Sequence, residues 1–250
     1  MIRKSILLPH IFTAVLLFAG CGNMSDEYNT ETQISVAPTP PTIKKRIICE
    51  GDSRTDNGGS PGSALDLDSY PAKLARLLHA NYYKNGGVAV IFDPSNEIEV
   101  INIGLSGDTV QKILANETGQ VNPYILQGGE TIYILDAGGN DIWIGRAPAQ
   151  IISDIKKIQD IMTAKGLKVY TATIGDGRAF QKFRNTLVAV NNGIPTTYAG
   201  GKTIGKVIDY WSVPELKNFT NMTYFQSDQL HYMPAGNQVK AETAFTVLSK

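Results

Sequence analysis

Histidine and cysteine are scarce here, with three of the first and two of the second in 250 residues. Asp136, Asp141 and Asp228 are scattered without the spacing of metal ligands, so no metal site is assigned. Charge of one sign is also lacking, since 23 Lys and Arg stand against 23 Asp and Glu. That balance gives no basic excess for nucleic acid and no polybasic run for an anionic membrane surface. A long hydrophobic run is absent too. The apolar stretch at residues 11–19 is too short to span a bilayer as a helix.

That stretch follows Arg3 and Lys4 and precedes Gly20 and Cys21, the layout of a signal peptide over residues 1–20. Ala19 and Gly20 directly before Cys21 resemble a bacterial lipoprotein signal, in which the cysteine is lipidated and becomes the mature N-terminus. Phe18, where leucine is commoner, is one departure, and simple secretion to the periplasm or medium is the alternative. The resemblance, with Gly22 rather than Asp after the cysteine, implies an outer-membrane or cell-surface address in the envelope. Loss of Arg3 and Lys4 leaves the mature protein mildly acidic. Cys49, in the apolar run "RIIC", reads as a buried and inert core thiol.

Residues 21–45 are polar, carry a Pro-Thr cluster and show no apolar periodicity, which reads as a tether. From there to residue 250 the pattern alternates strand and helix. Buried parallel strands are expected at 46–49, 98–103, 131–135, 167–173 and 207–210. Residues 88–92 could pair with 98–103 as a hairpin across "DPSN". Helical patterns include "SYPAKLARLLHANYY", capped by Ser69, and "AQIISDIKKIQDIMTAKG", whose stripe of Ile151, Ile155, Ile158 and Met162 stops at Gly166. Two more follow in "AFQKFRNTLVAVNNG" and "GNQVKAETAFTVLSK". The expectation is one α/β domain over 46–250, with a mostly parallel five-stranded sheet and helices on both faces.

Ligands of such sheets bind beyond the carboxyl ends of the strands. There the sequence places "GDS" with Ser53, "SGDT" with Gly107, "GGND" with Asn140, and "DQLH" with Asp228 and His231. Acyl transfer needs a nucleophile, a base, a group that orients the base, and donors for the oxyanion. Ser53 supplies a hydroxyl at a strand-to-helix turn. His231 is the natural base, because His10 lies in the leader and His79 in a helix. Asp228, three residues earlier, can hold its imidazole. Oxyanion donors are the backbone N–H of Ser53, that of Gly107 in a turn where a side chain would obstruct, and the Asn140 amide.

These four blocks, in this order and over about residues 46–248, resemble the signature blocks of the SGNH (GDSL) hydrolase family. The resemblance implies a flavodoxin-like three-layer α/β/α sandwich and ester hydrolysis without metal or organic cofactor. Its signature Ser, Gly, Asn and His match Ser53, Gly107, Asn140 and His231, with its Asp at Asp228. Arg54 stands where an apolar residue is frequent in the family and Tyr232 where proline is common, so both are expected to shape the substrate cleft. Trp143, Tyr232 and Trp211 are candidates for an aromatic rim suited to short acyl groups on carbohydrate.

A rival nucleophile is Ser60, in the G-x-S-x-G of residues 58–62. An elbow of that kind needs a strand before the serine and an N–H after it. "RTDNGG" is loop composition, and Pro61 has no N–H. "AGGKT" lacks the first glycine of a phosphate loop, and "GDGRAF" the third of a dinucleotide fingerprint. The expected function is a short-chain ester hydrolase acting on a small-molecule or carbohydrate ester, tethered to the membrane by its lipid. Lysophospholipase or thioesterase activity, and a catalytically inactive glycan-binding protein, are the alternatives. Cys21→Ala should move the protein from the membrane to the soluble fraction. Unchanged fractionation would count against lipidation.

Overall fold

The computed structural model describes residues 42–57, 67–84, 89–90, 96–198 and 205–250. The leader, Cys21, nearly all of the tether, the Ser60 loop and "AGGKT" lie outside the described residues.

The chain begins its sheet with β1 (Lys45–Gly51), whose side chains alternate between two apolar layers. Ile48 joins a core with Tyr133, Leu135 and Val169. Ile47 and Cys49 join the opposite core with Val100, Ile132 and Ile134. This double burial requires cover on both faces. Helices α2 (Tyr70–Leu77) and α7 (Pro234–Leu248) pack together on the Cys49 side. Helices α3 (Val110–Val121), α5 (Pro148–Ala164) and α6 (Arg184–Gly193) cover the other. In α5 the stripe Ile151, Ile155, Ile158 and Met162 is fully buried, and Gly166 at φ +84 closes the helix end, as its sequence pattern predicts. The thiol of Cys49 is enclosed, and burial pushes its pKa up to about 12.

Among the described residues the sheet has seven strands rather than five. Beyond β1 they are β2 (Asn81–Lys84), β3 (Ala89–Val90), β4 (Ile98–Asn102), β5 (Glu130–Asp136), β6 (Lys168–Ala172) and β7 (Gly205–Ile208), in the order β3-β2-β4-β1-β5-β6-β7. All pairings are parallel except β2 with β3. Two expectations are corrected here. "HANYY" does not continue the helix. His79 takes φ +55, and Ala80 N–H reaches back to the Ala75 carbonyl (2.8 Å) while His79 N–H reaches that of Arg76 (3.1 Å), a Schellman closure. Tyr82 and Tyr83 then enter a strand, as β-favouring aromatics do. The short hairpin therefore joins β3 to β2, not to β4, which lies parallel between β2 and β1.

Strand β1 sits at the centre, with β4 on one side and β5 on the other. The chain direction across the sheet switches there, and such a switch opens a crevice at the carboxyl end of the strand. Among the described residues no helix is long and apolar enough to cross a membrane.

Candidate active site

The residue that ends β1 must be small. A Cβ on Gly51 would stand 2.3 Å from both the Asp136 carbonyl oxygen and Thr55 Oγ1. With no side chain there, the chain turns at once into α1 (Ser53–Asp56). Asp52 caps this turn, its Oδ1 accepting from Arg54 N–H at 2.9 Å. Ser53 is thereby held at the sheet edge. Buried Asn102, at the end of β4, donates to the Thr55 carbonyl (3.0 Å) and accepts from Gly104 N–H (3.0 Å), tying the second loop to α1. Ser106 adds a 2.6 Å hydrogen bond to Asp56.

The third loop is fastened to the second. Asn140, in α4 (Gly139–Trp143), donates one amide hydrogen to the Asp108 carbonyl at 2.8 Å, which leaves its other N–H available. Asp141, fully buried, accepts from Val110 N–H at 2.8 Å and pairs with Arg146 at 2.5 Å. Gly107 lies beside this junction at φ +85. A Cβ there would meet nothing within 4 Å, so the glycine serves the backbone conformation and not steric room, which corrects the reason given above. Its N–H makes no hydrogen bond among the described residues.

The last loop folds on Asp228. Its Oδ1 accepts the backbone N–H groups of Leu230 (2.9 Å) and His231 (3.0 Å), and its Oδ2 the ring Nδ1–H of His231 at 2.5 Å. Partial burial pushes the Asp228 carboxyl upward. The hydrogen bonds from the His231 ring and the two backbone N–H groups outweigh it and hold the carboxyl below its ordinary range. With Nδ1 so engaged, Nε2 presents its lone pair to Ser53 Oγ, 2.9 Å away. Ser53, His231 and Asp228 thus form one hydrogen-bonded chain. Ser53 and Asn140 line a small pocket with Gly139, Phe180, Leu230 and Trp143, and Gly107 lies outside this lining.

A hydroxyl, an imidazole and a carboxylate in line, next to a spare amide donor, is the equipment of acyl transfer. The family model for GDSL-like lipases and acylhydrolases matches residues 49–239. The chain belongs to that family. Family membership makes it a carboxylic ester hydrolase. Among solved structures, a lipolytic G-D-S-L protein from Veillonella parvula superposes with a TM-score of 0.65 at 18% identity, covering 82% of this chain and 99% of that one. A family 3 carbohydrate esterase from Clostridium thermocellum gives 0.59 at 20%, over 81% and 94%. The psychrotrophic esterase EstA from Pseudoalteromonas gives 0.60 at 13%, over 82% and 96%. Identities this low speak for the fold alone. No curated protein matches the sequence.

Within this GDSL domain the two departures from the family pattern occur together. Arg54 is buried, and its guanidinium donates to the carbonyls of Gly175 (2.8 Å) and Asp176 (2.7 Å). It stacks over Phe180 at 4.9 Å and over Tyr232 at 5.1 Å. Tyr232 is only 3% exposed, packs on Phe225 and is outside the pocket linings. Arg54 and Tyr232 therefore brace the loop after β6. The cleft position expected for Tyr232 is thereby corrected, whereas Arg54 lines the small pocket beside Ser53, and its Nε has no hydrogen-bond partner among the described residues. Trp143, 54% exposed, does stand at the mouth. Trp211 lies between Arg184 and Lys217 and is outside the pocket linings. The sequence reading missed the wall formed by the 3₁₀ turn Arg178–Phe183. It follows β6, so the sheet-edge rule that located the other loops also pointed to it.

Asp52 carries a pH signature. Burial, helped by the nearby Asp136 charge, pushes its carboxyl up to about 6, against the weaker pull of Arg54 and Lys240. The folded protein then binds this proton more tightly than the unfolded chain. The stability it contributes is present below about pH 4 and is lost as pH rises through 6. Asp52→Asn keeps the cap and removes the charge. In urea titrations the variant should match wild type near pH 4 and exceed it at pH 8, by up to roughly 3 kcal/mol. A difference that does not change with pH would contradict this origin.

Proposed function

We propose that this GDSL domain is a short-chain, acetyl-type esterase acting through Ser53, His231 and Asp228. The observation that carries the reading is the 2.9 Å contact between Ser53 Oγ and His231 Nε2, with the imidazole held from behind by Asp228. Ser53 Oγ–H gives its proton to Nε2 as Oγ attacks the ester carbonyl. The negative charge that develops on the carbonyl oxygen is met by the Ser53 and Gly107 N–H groups and the free N–H of the Asn140 amide. Collapse of the intermediate expels the alcohol, which takes the proton from Nε2, and leaves Ser53 acylated. A water activated by the same nitrogen then hydrolyses the acyl-enzyme and restores Ser53.

The short-acyl preference follows from the pocket beside Ser53. Its volume is about 10 Å³, room for about one water-sized group. A methyl fits where a longer chain meets Phe180 and Leu230. The carbohydrate esterase likeness and exposed Trp143 support a sugar as the alcohol part. The lipoprotein leader supports an envelope address.

With p-nitrophenyl esters, kcat/KM should fall by about tenfold or more from acetate to octanoate. Ser53→Ala should lose at least about 10³-fold in kcat, and Asp228→Asn about 10²–10⁴-fold. A rising preference for long chains would replace this reading with a lysophospholipase or thioesterase. Activity unchanged in Ser53→Ala would remove its nucleophile.

A further inference from the structure

A second, larger cavity of about 580 Å³ adjoins the first, and its walls include Trp143, Arg178, Lys182, Phe183, Asp228 and His231. The small pocket beside Ser53 is not lined by His231, whereas this one is. If His231 Nε2 returns its proton to the departing oxygen, the alcohol part of the ester occupies the larger cavity. Its volume suits a ligand of one or two sugar rings.

That cavity is lined by two cations and one carboxylate, and the carboxylate, Asp228, is already paired with His231. Arg178 and Lys182 are both exposed and four residues apart on the same 3₁₀ turn. Neither has a carboxylate partner among the described residues, and Lys182 lies 5.6 Å over the Phe183 ring. The carboxylates in the same lining and at the start of the same loop are already engaged. Asp228 is held by His231, and Asp176 by Arg184 and by Gly177 N–H (2.8 Å). The turn itself is fixed to the catalytic loop, because Arg178 N–H donates to the Gln229 carbonyl at 2.9 Å. Two cations without carboxylate partners among the described residues therefore line the space beside His231, and the exposed indole of Trp143 lines it with them.

We propose that Arg178 and Lys182 are specificity-determining residues that select an ester whose alcohol part carries an oxyanion, either a carboxylate as in an acidic sugar or a phosphate. The inference rests on the esterase reading above and adds the charge of its substrate. A guanidinium fork binds either oxyanion in two-point fashion, and the ammonium adds a second point charge. Such contacts made at a solvent-facing wall are modest and screened by salt.

The test uses acetates matched except for charge: 4-acetoxybenzoate, its neutral methyl ester, and 4-acetoxyphenyl phosphate. At low salt the full-length protein should hydrolyse at least one anionic ester with kcat/KM about 5- to 10-fold above the neutral one, and the preference should shrink toward unity in about 1 M salt. Whichever anion gives the larger ratio identifies the oxyanion. In the Arg178→Gln/Lys182→Gln variant the ratio should fall to about one, and Arg178→Lys should retain part of it. Equal or better hydrolysis of the neutral ester by wild type overturns the proposal while leaving the esterase reading intact. A preference undiminished in the double variant overturns the assignment to these two residues. If none of the three esters is hydrolysed in a Ser53-dependent way, the esterase reading itself fails.

Discussion

Behind the serine, where the side chains are shut off from solvent, the Lys240 ammonium lies 2.5 Å from the Asp136 carboxylate and 3.0 Å from the Arg54 carbonyl. One charged group from α7 thus grips the end of β5 and the helix that carries Ser53. Burial draws the Lys240 ammonium down from its usual range, with Asp136 opposing. Three tyrosine rings complete the cage, Tyr70 at 4.4 Å, Tyr210 at 5.1 Å and Tyr232 at 5.3 Å. A buried pair of this kind gives little net stability against an apolar replacement, but loss of one partner strands the other at a cost of about 3–5 kcal/mol. Its effect is on placement. Asp136, Thr55, Arg54 and Lys240 can all be satisfied only if three distant segments meet in one arrangement.

From that anchor outward, each loop of the site is fixed by the one before it. Gly51 lets β1 turn sharply, Asp52 caps the turn, Asn102 ties in the second loop, and Asn140 ties the third to the second. Arg54 and Tyr232 do the same for the loops after β6 and before α7. The groups proposed to do chemistry thus reach their positions without being long or strained. Preorganised donors of this sort need little reorganisation when charge develops.

Much of this was legible in the sequence for a physical reason. Side chains at the sheet edge must follow strands directly, so "GDS", "SGDT", "GGND" and "DQLH" fall at readable places. The helix stripe of α5 and its Gly166 stop were equally local signals. What escaped was non-local or lacked punctuation. Nothing in "LLHANYYK" announces that His79 adopts a left-handed conformation and ends the helix, so β2 was absorbed into it. Arg54 and Tyr232 are expected at the cleft because they depart from the family pattern; Arg54 does line the small pocket, but Tyr232 is buried against the Arg54 guanidinium. Their mutual stacking joins positions 178 residues apart, and no periodicity reveals it. Lys240 sits on α7 with no local sign that its charge is buried.

The central claim is that Ser53, and not the serine of the better-known G-x-S-x-G pattern, is the nucleophile. Reaction with a p-nitrophenyl phosphonate, followed by peptide mapping by mass spectrometry, tests it most directly. One phosphonyl group per chain should appear on the peptide containing Ser53, with labelling abolished in Ser53→Ala and retained in Ser60→Ala. An adduct on Ser60 that survives in Ser53→Ala would contradict the account.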